Sequence, residues 1–339
     1  MTAKKHQSPA SQLLQRLTKL QSKGVMIGHQ DDPMYGIAWS WERGRSDVKE
    51  VCGDYPAVMG FDLGKIELGS SENLDGVPFQ RMREEIALQH KRGGISTLSW
   101  HPWNPATGEK AWDPSGEAVT KILPGGALNA KFCIWLNCVA AFIKSLQTAE
   151  GQPIPVIFRP WHEMTGDWFW WGSKSCTTEE YKQLYRYTHD YLLEKGCDNI
   201  VWAWSPGGGD QNEYLKHYPG NEYVDVLGVD TYQFDDNPDA YQATVRRDLQ
   251  RMTEAARQTG KLAAFTETGC QNVQDATWFT RVLLPMLKEQ PLSYVLVWRN
   301  AWDQPKENYM PAPGRPTEAD FVDFYNDPLT LFSKDIKGK

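Results

Sequence analysis

No apolar run in this 339-residue chain reaches the roughly 20 residues that a membrane-spanning helix needs. The opening residues, Met-Thr-Ala-Lys-Lys-His-Gln-Ser-Pro-Ala-Ser, are polar and lack the apolar stretch of a signal peptide. Basic clusters are missing as well. With 36 Lys and Arg against 43 Asp and Glu, a net charge of -7 and a pI near 5.6, the chain has no concentrated positive face for a nucleic-acid backbone. Cys52, Cys133, Cys138, Cys176, Cys197 and Cys270 are too scattered for a small disulfide scaffold, and no CxxC pair supports a zinc ribbon. Most of them read as buried thiols. The His162-Glu163 pair lacks the second His that a zincin needs four residues after the first, because Gly166 stands there. No Gly-rich phosphate loop follows the first strand-like run, which argues against a doubly wound nucleotide-binding sheet. The chain is therefore expected to use no metal and no cofactor.

What it has in excess is tryptophan, with 15 residues. They crowd into the segment Pro155-Val-Ile-Phe-Arg-Pro-Trp-His-Glu-Met-Thr-Gly-Asp-Trp-Phe-Trp-Trp-Gly172, where an apolar run ends abruptly in Arg159, His162 and Glu163. A carboxylate at the end of a buried strand is costly unless paired, so charge there marks a working cleft. Sugar is the natural guest, since a pyranose offers C–H faces to indole rings and polar edges to their N–H groups. Trp100, Trp135, Trp202 and Trp204 lie within strands or helices and read as core.

Runs rich in Val, Ile, Phe and Leu recur eight times: Val25 to His29, Ala57 to Leu63, Ile95 to His101, Val156 to Glu163, Ile200 to Ser205, Val224 to Tyr232, Leu262 to Gly269 and Tyr294 to Asn300. Between them, helical periodicity is clearest over Pro78–Arg92, Ala130–Gln147, Thr178–Lys195, Tyr241–Thr259 and Asp275–Lys288. Polar residues gather at the carboxyl ends of the runs: His29, Asp62, His101, Glu163, Ser205, Asp230 with Tyr232, Glu267, and Trp298 with Arg299. That distribution predicts an α/β fold, a (β/α)8 TIM barrel, whose strands deliver functional groups to one rim. One catalytic domain is expected over 1–339, with a short polar lead at 1–10. Two long segments, Asp31 to Gly44 with Trp39 and Trp41, and Trp103 to Gly126 with Trp112, are expected to shape the cleft. The Asp235-Asp-Asn-Pro-Asp239 run has oxygen ligands in number but reads as a turn.

Glu163 ends the fourth run and Glu267 the seventh, and strands four and seven face each other across a barrel. Glycoside hydrolysis needs one carboxyl group to protonate the leaving oxygen and a second to attack or to activate water. Across a closed barrel mouth the two should approach to roughly 5–5.5 Å, the spacing of retaining enzymes. Asp230 and Tyr232, two residues apart on a strand, share one face.

Arg159-Pro-Trp-His-Glu-Met-Thr-Gly-Asp-Trp-Phe-Trp-Trp-Gly, with Val229-Asp-Thr-Tyr, Phe265-Thr-Glu-Thr-Gly and Val297-Trp-Arg-Asn in that order, closely resembles glycoside hydrolase family 26, typified by endo-β-1,4-mannanases. The resemblance covers nearly the whole chain and implies a barrel with catalytic Glu on strands four and seven. It implies Glu163 as acid/base and Glu267 as nucleophile, with His162 where many members of the wider clan carry Asn. In the same way His101 and Trp168 look like contacts around the cleavage point, Arg159 like a support, and Tyr232 like the hydroxyl that holds the nucleophile. Trp298 resembles a platform beneath the sugar, and Arg299 a ligand of the neighbouring ring. Asp230 is expected to meet sugar hydroxyls or Arg and His neighbours, and Trp112 to bind substrate from its loop.

The expectation is a retaining hydrolase of β-1,4-mannosidic bonds in mannan, glucomannan or galactomannan, acting as a monomer and secreted, periplasmic or at the cell surface with its signal removed. The alternatives are a β-1,3-xylanase or mixed-linkage β-glucanase of the same family and, from another class, a non-catalytic carbohydrate-binding barrel. The last would keep the tryptophans and lose a carboxylate, and both carboxylates are present.

Overall fold

The computed structural model describes residues 7–209 and 213–338. Residues 1–6 of the expected polar lead lie outside that set; Ser8 already caps a helix, Pro9–Gln21, its Oγ accepting from Ser11 N.

Among the described residues eight strands form the barrel: β1 Val25–Gln30, β2 Val58–Asp62, β3 Ile95–Trp100, β4 Val156–Pro160, β5 Ile200–Trp204, β6 Val226–Gln233, β7 Leu262–Cys270 and β8 Tyr294–Val297. Each pairs in parallel with the next, and β8 closes on β1 through Met26–Tyr294, Ile27–Val295, Gly28–Leu296 and His29–Val297. The expected (β/α)8 barrel is thus the observed fold. Short Val/Ile/Leu-rich runs form these strands because a closed parallel sheet is buried on both faces, and β1 to β5 are buried at every position. In β4, Val156 and Phe158 join the core under the helices, whereas Ile157 joins an inner core with Met26, Val58, Val201, Val226 and Leu296. Leu13, Leu17 and Leu20, spaced as one helical stripe, belong to that inner core, so Pro9–Gln21 plugs the amino-terminal mouth.

The outer layer is held by conventional helix chemistry. Thr178–Glu194 starts with a capping box between Thr177 and Glu180; of the expected Asp235–Asp239 turn, Asp235 and Asp236 bend, Asn237 caps, and Pro238 and Asp239 already begin the helix Pro238–Thr259. Trp100, Trp135, Trp202 and Trp204 are buried as expected. All six cysteines are free, but only Cys197 and Cys270 are buried; the other four are partly exposed.

Two departures from the sequence pattern matter for function. The fourth strand stops at Pro160 instead of running to Glu163, because Trp161 and Glu163 adopt left-handed backbone at φ 56° and 53°. The seventh strand carries a β-bulge: Val229 and Asp230 pair with Phe265 and Glu267, so one extra residue, Thr266, is inserted. Strict alternation would leave Glu267 on the helix-facing side with Ala263 and Phe265; the bulge turns it toward the barrel mouth.

Candidate active site

At the carboxyl-terminal rim lies a cavity of about 510 Å3, lined by every expected site residue except Arg159 and Arg299. A hollow of about 610 Å3 occurs elsewhere, away from the rim, where Glu213 and Glu254 share the lining with Lys216, Arg247 and Arg251.

The floor is built from β4, β6 and β7. Arg159, buried at the end of β4, ion-pairs Glu267 through Nη2 and Asp230 through Nη1, the latter at 2.8 Å. Asp230 also accepts from Ser205 Oγ at 2.9 Å and Thr266 Oγ1 at 2.6 Å, so this buried carboxylate is fully satisfied. Tyr232 donates its hydroxyl to Glu267 Oε2 at 2.7 Å. One oxygen from each of Glu163, Asp230 and Glu267 lies within 4.8 Å of the others. Three carboxylates so close could hold a cation, but Arg159 already supplies the positive charge to two of them.

Glu163 is presented by a strained turn, and the strain is over-determined by its surroundings. The Trp161 carbonyl accepts from Tyr181 Oη at 2.8 Å, the His162 carbonyl from Trp171 Nε1 at 2.8 Å, and Glu163 N donates to the Ser205 carbonyl at 2.8 Å. Its carboxylate accepts from Trp168 Nε1 at 3.0 Å. Burial, then the charges of Glu267 and Asp230, push the Glu163 carboxyl well above the usual carboxylate range, against the opposing pull of Arg159 and Trp168. The site thus sets apart two carboxyl groups: one biased toward the protonated form, the other held by a guanidinium and a phenol.

A second relay flanks Glu163. Asp62 accepts from Ser99 Oγ at 2.7 Å and from His101 Nδ1 at 2.6 Å, and His101 Nε2 meets His162 Nε2 at 3.0 Å. Burial lowers the His101 pKa, but Asp62 outweighs it and the net shift is upward; burial, Arg159 and His101 drive His162 well down. One proton shared between the two facing Nε2 atoms joins His101 to His162. Trp112 stacks on His101 at 5.2 Å and 11°. Trp168 is 42% exposed, whereas Trp170 and Trp171 of the same aromatic run are fully buried, and Trp170 Nε1 donates to the Pro102 carbonyl at 2.9 Å.

Trp298 forms the opposite wall. Arg299 stands behind it: its guanidinium ion-pairs Asp75 and, at 2.6 Å, Glu307, and Glu307 is what reaches the cavity. Residues the sequence reading did not assign complete the wall. Phe169 stacks on Trp171 at 4.4 Å, Phe234 stacks on Tyr232 at 5.6 Å, and Tyr309 meets Tyr232 edge-on at 5.6 Å. Phe169 belonged to the aromatic run, but Phe234, Glu307 and Tyr309 sit in loops where no periodicity announces a role. Asp62 was visible as a polar strand end, yet its link to His101 depends on which strands are neighbours.

Comparison with known proteins agrees with this geometry. The profile of glycosyl hydrolase family 26 matches residues 2–281. A mannan endo-1,4-beta-mannosidase of Bifidobacterium adolescentis is 35% identical over 94% of this chain, which in turn spans 34% of that protein's length. One from Bacillus subtilis strain 168 is 31% identical over 75% of this chain and 69% of its own. A family 26 β-mannanase structure from Bacteroides ovatus superposes with a TM-score of 0.94 at 48% identity, covering 97% of this chain and 96% of that one. The chain belongs to glycosyl hydrolase family 26.

Proposed function

We propose that the chain hydrolyses β-1,4-mannosidic bonds in mannan-type polysaccharides with net retention at the anomeric carbon. One observation carries the reading: Glu163, on the turn after β4, and Glu267, on β7, present oxygens within 4.8 Å, one biased toward its protonated form and the other held by Arg159 and Tyr232. That separation leaves no room for the water an inverting enzyme places between its carboxylates at about 6.5–9.5 Å.

Glu163 protonates the glycosidic oxygen while Glu267 attacks the anomeric carbon, giving a covalent glycosyl-enzyme. Glu163, now ionised, takes a proton from water, which displaces Glu267. Arg159 and Tyr232 orient the nucleophile, and their charge and hydrogen bond stabilise it again as it leaves. His101, Trp112, Trp168 and Trp298 line the space where sugar rings stack, and the named activities of the relatives favour mannose there. A polysaccharide substrate favours action outside the cytoplasm, and no helix among the described residues is long and apolar enough to cross a membrane. Reducing-sugar release from mannan, xylan and lichenan tests the specificity. Release from mannan in large excess is expected, and preference for either other polymer would overturn the substrate reading.

A further inference from the structure

Five Trp and Phe side chains are exposed among the described residues, and every one lies on a loop that follows the carboxyl end of a barrel strand: Trp41 after β1, Trp112 after β3, Trp168 after β4, Phe234 after β6 and Trp302 after β8. A random scatter of surface aromatics would populate both ends of the barrel. Trp112, Trp168 and Phe234 line the cavity; Trp41 and Trp302 do not. Those two meet edge-on at 6.3 Å, 39% and 44% exposed, forming an apolar patch built from two separate loops.

The patch continues the cleft. Glu307 lines the cavity and holds Arg299, Arg299 holds Asp75, and the next residue, Gly76, lies under the Trp41 indole, which would stand 3.8 Å from a Cβ placed there. A continuous run of contacts, from Glu307 through Arg299 and Asp75 to Gly76, thus links the cavity wall to the indole pair. The Trp41 backbone is left-handed, at φ 66°, uncommon for so bulky a residue, and its ring meets buried Tyr35 edge-on at 6.1 Å while its outer face stays exposed.

Building on the mannanase reading, we propose that Trp41 and Trp302 form a second sugar platform, outside the cavity, for the β-1,4-linked hexopyranose chain where it passes over the Arg299–Asp75–Glu307 wall. Indole faces match the C–H faces of consecutive rings in an extended chain. The platform adds affinity for polymer and nothing to bond cleavage.

The test compares two substrates: soluble mannan polymer and an aryl β-mannobioside that fills only the cavity. Trp41→Ala and Trp302→Ala should each lower kcat/KM on polymer about three- to tenfold, the scale of one aromatic contact, and leave the aryl substrate unchanged. Trp302→Phe should retain most of the polymer activity. Affinity electrophoresis of the same variants in the inactive Glu163→Gln background should show weaker retardation by mannan. Unchanged polymer kinetics, or equal losses on both substrates, would overturn the platform alone. A wild-type enzyme inert toward mannan would overturn the substrate reading and the platform with it.

Discussion

Tyr232→Phe removes one atom from the site and leaves the rest in place. The hydroxyl donates to Glu267 Oε2 at 2.7 Å, while Arg159 continues to hold the other oxygen, and the ring keeps its contacts with Phe234 and Tyr309. A hydrogen bond to an ionised group is worth about 1.5–3 kcal/mol, which at about 1.36 kcal/mol per tenfold gives a loss of roughly 10- to 150-fold. The loss should fall on kcat, because the hydroxyl restrains a nucleophile and leaving group instead of gripping sugar. Steady-state kinetics on 4-nitrophenyl β-mannobioside, with circular dichroism to check folding, measure it. Unchanged kcat with a raised KM would refute the reasoning and make Tyr232 a simple substrate contact.

Trp168→Phe deletes the N–H that donates to Glu163 and favours its ionised form. The alkaline limb of the kcat/KM profile, set by loss of the acid's proton, should therefore move to higher pH. Glu163→Gln should abolish turnover on mannan yet raise the melting temperature. In the folded protein the Glu163 pKa is raised, so its contribution to stability, full below the unfolded pKa, is lost as pH rises; a neutral amide escapes that loss. The gain is present at neutral pH and should vanish near pH 4 in differential scanning calorimetry. Asp62→Ala strands the buried His101 and Ser99 and should cost about 3 kcal/mol in urea unfolding at pH 7. Because the Asp62 pKa is lowered in the folded state despite its burial, through His101 and Ser99, the deficit should shrink as pH falls.

The barrel was legible because parallel strands buried on both faces are written as dense apolar runs, and the polar residue closing each run announced the rim. The site's carboxylates were legible for the same reason. What alternation could not give was the parity of Glu267, since a one-residue bulge at Thr266 leaves no mark in composition. Nor could it foresee that β4 ends at Pro160, because left-handed Trp161 and Glu163 oppose the intrinsic preference of both residues and persist only through Tyr181, Trp171 and Ser205. The helix Pro9–Gln21 had its signals in Ser8, Pro9 and the Leu13, Leu17, Leu20 stripe, which a reading of the terminus as a polar lead passed over. Arg299 was expected beside sugar; its position behind Glu307 depends on Asp75, some two hundred residues away in sequence and invisible to any local pattern.

The most direct test of a double displacement through Glu267 is mass-spectrometric mapping of enzyme inactivated by a 2-deoxy-2-fluoro-β-mannosyl fluoride, which slows the second step and traps the covalent intermediate. One fluoromannosyl group per chain is expected, attached to the peptide carrying Glu267 and absent from Glu267→Ala. Attachment to Glu163 or Asp230, or time-dependent turnover with an inverted product and no label, would contradict it.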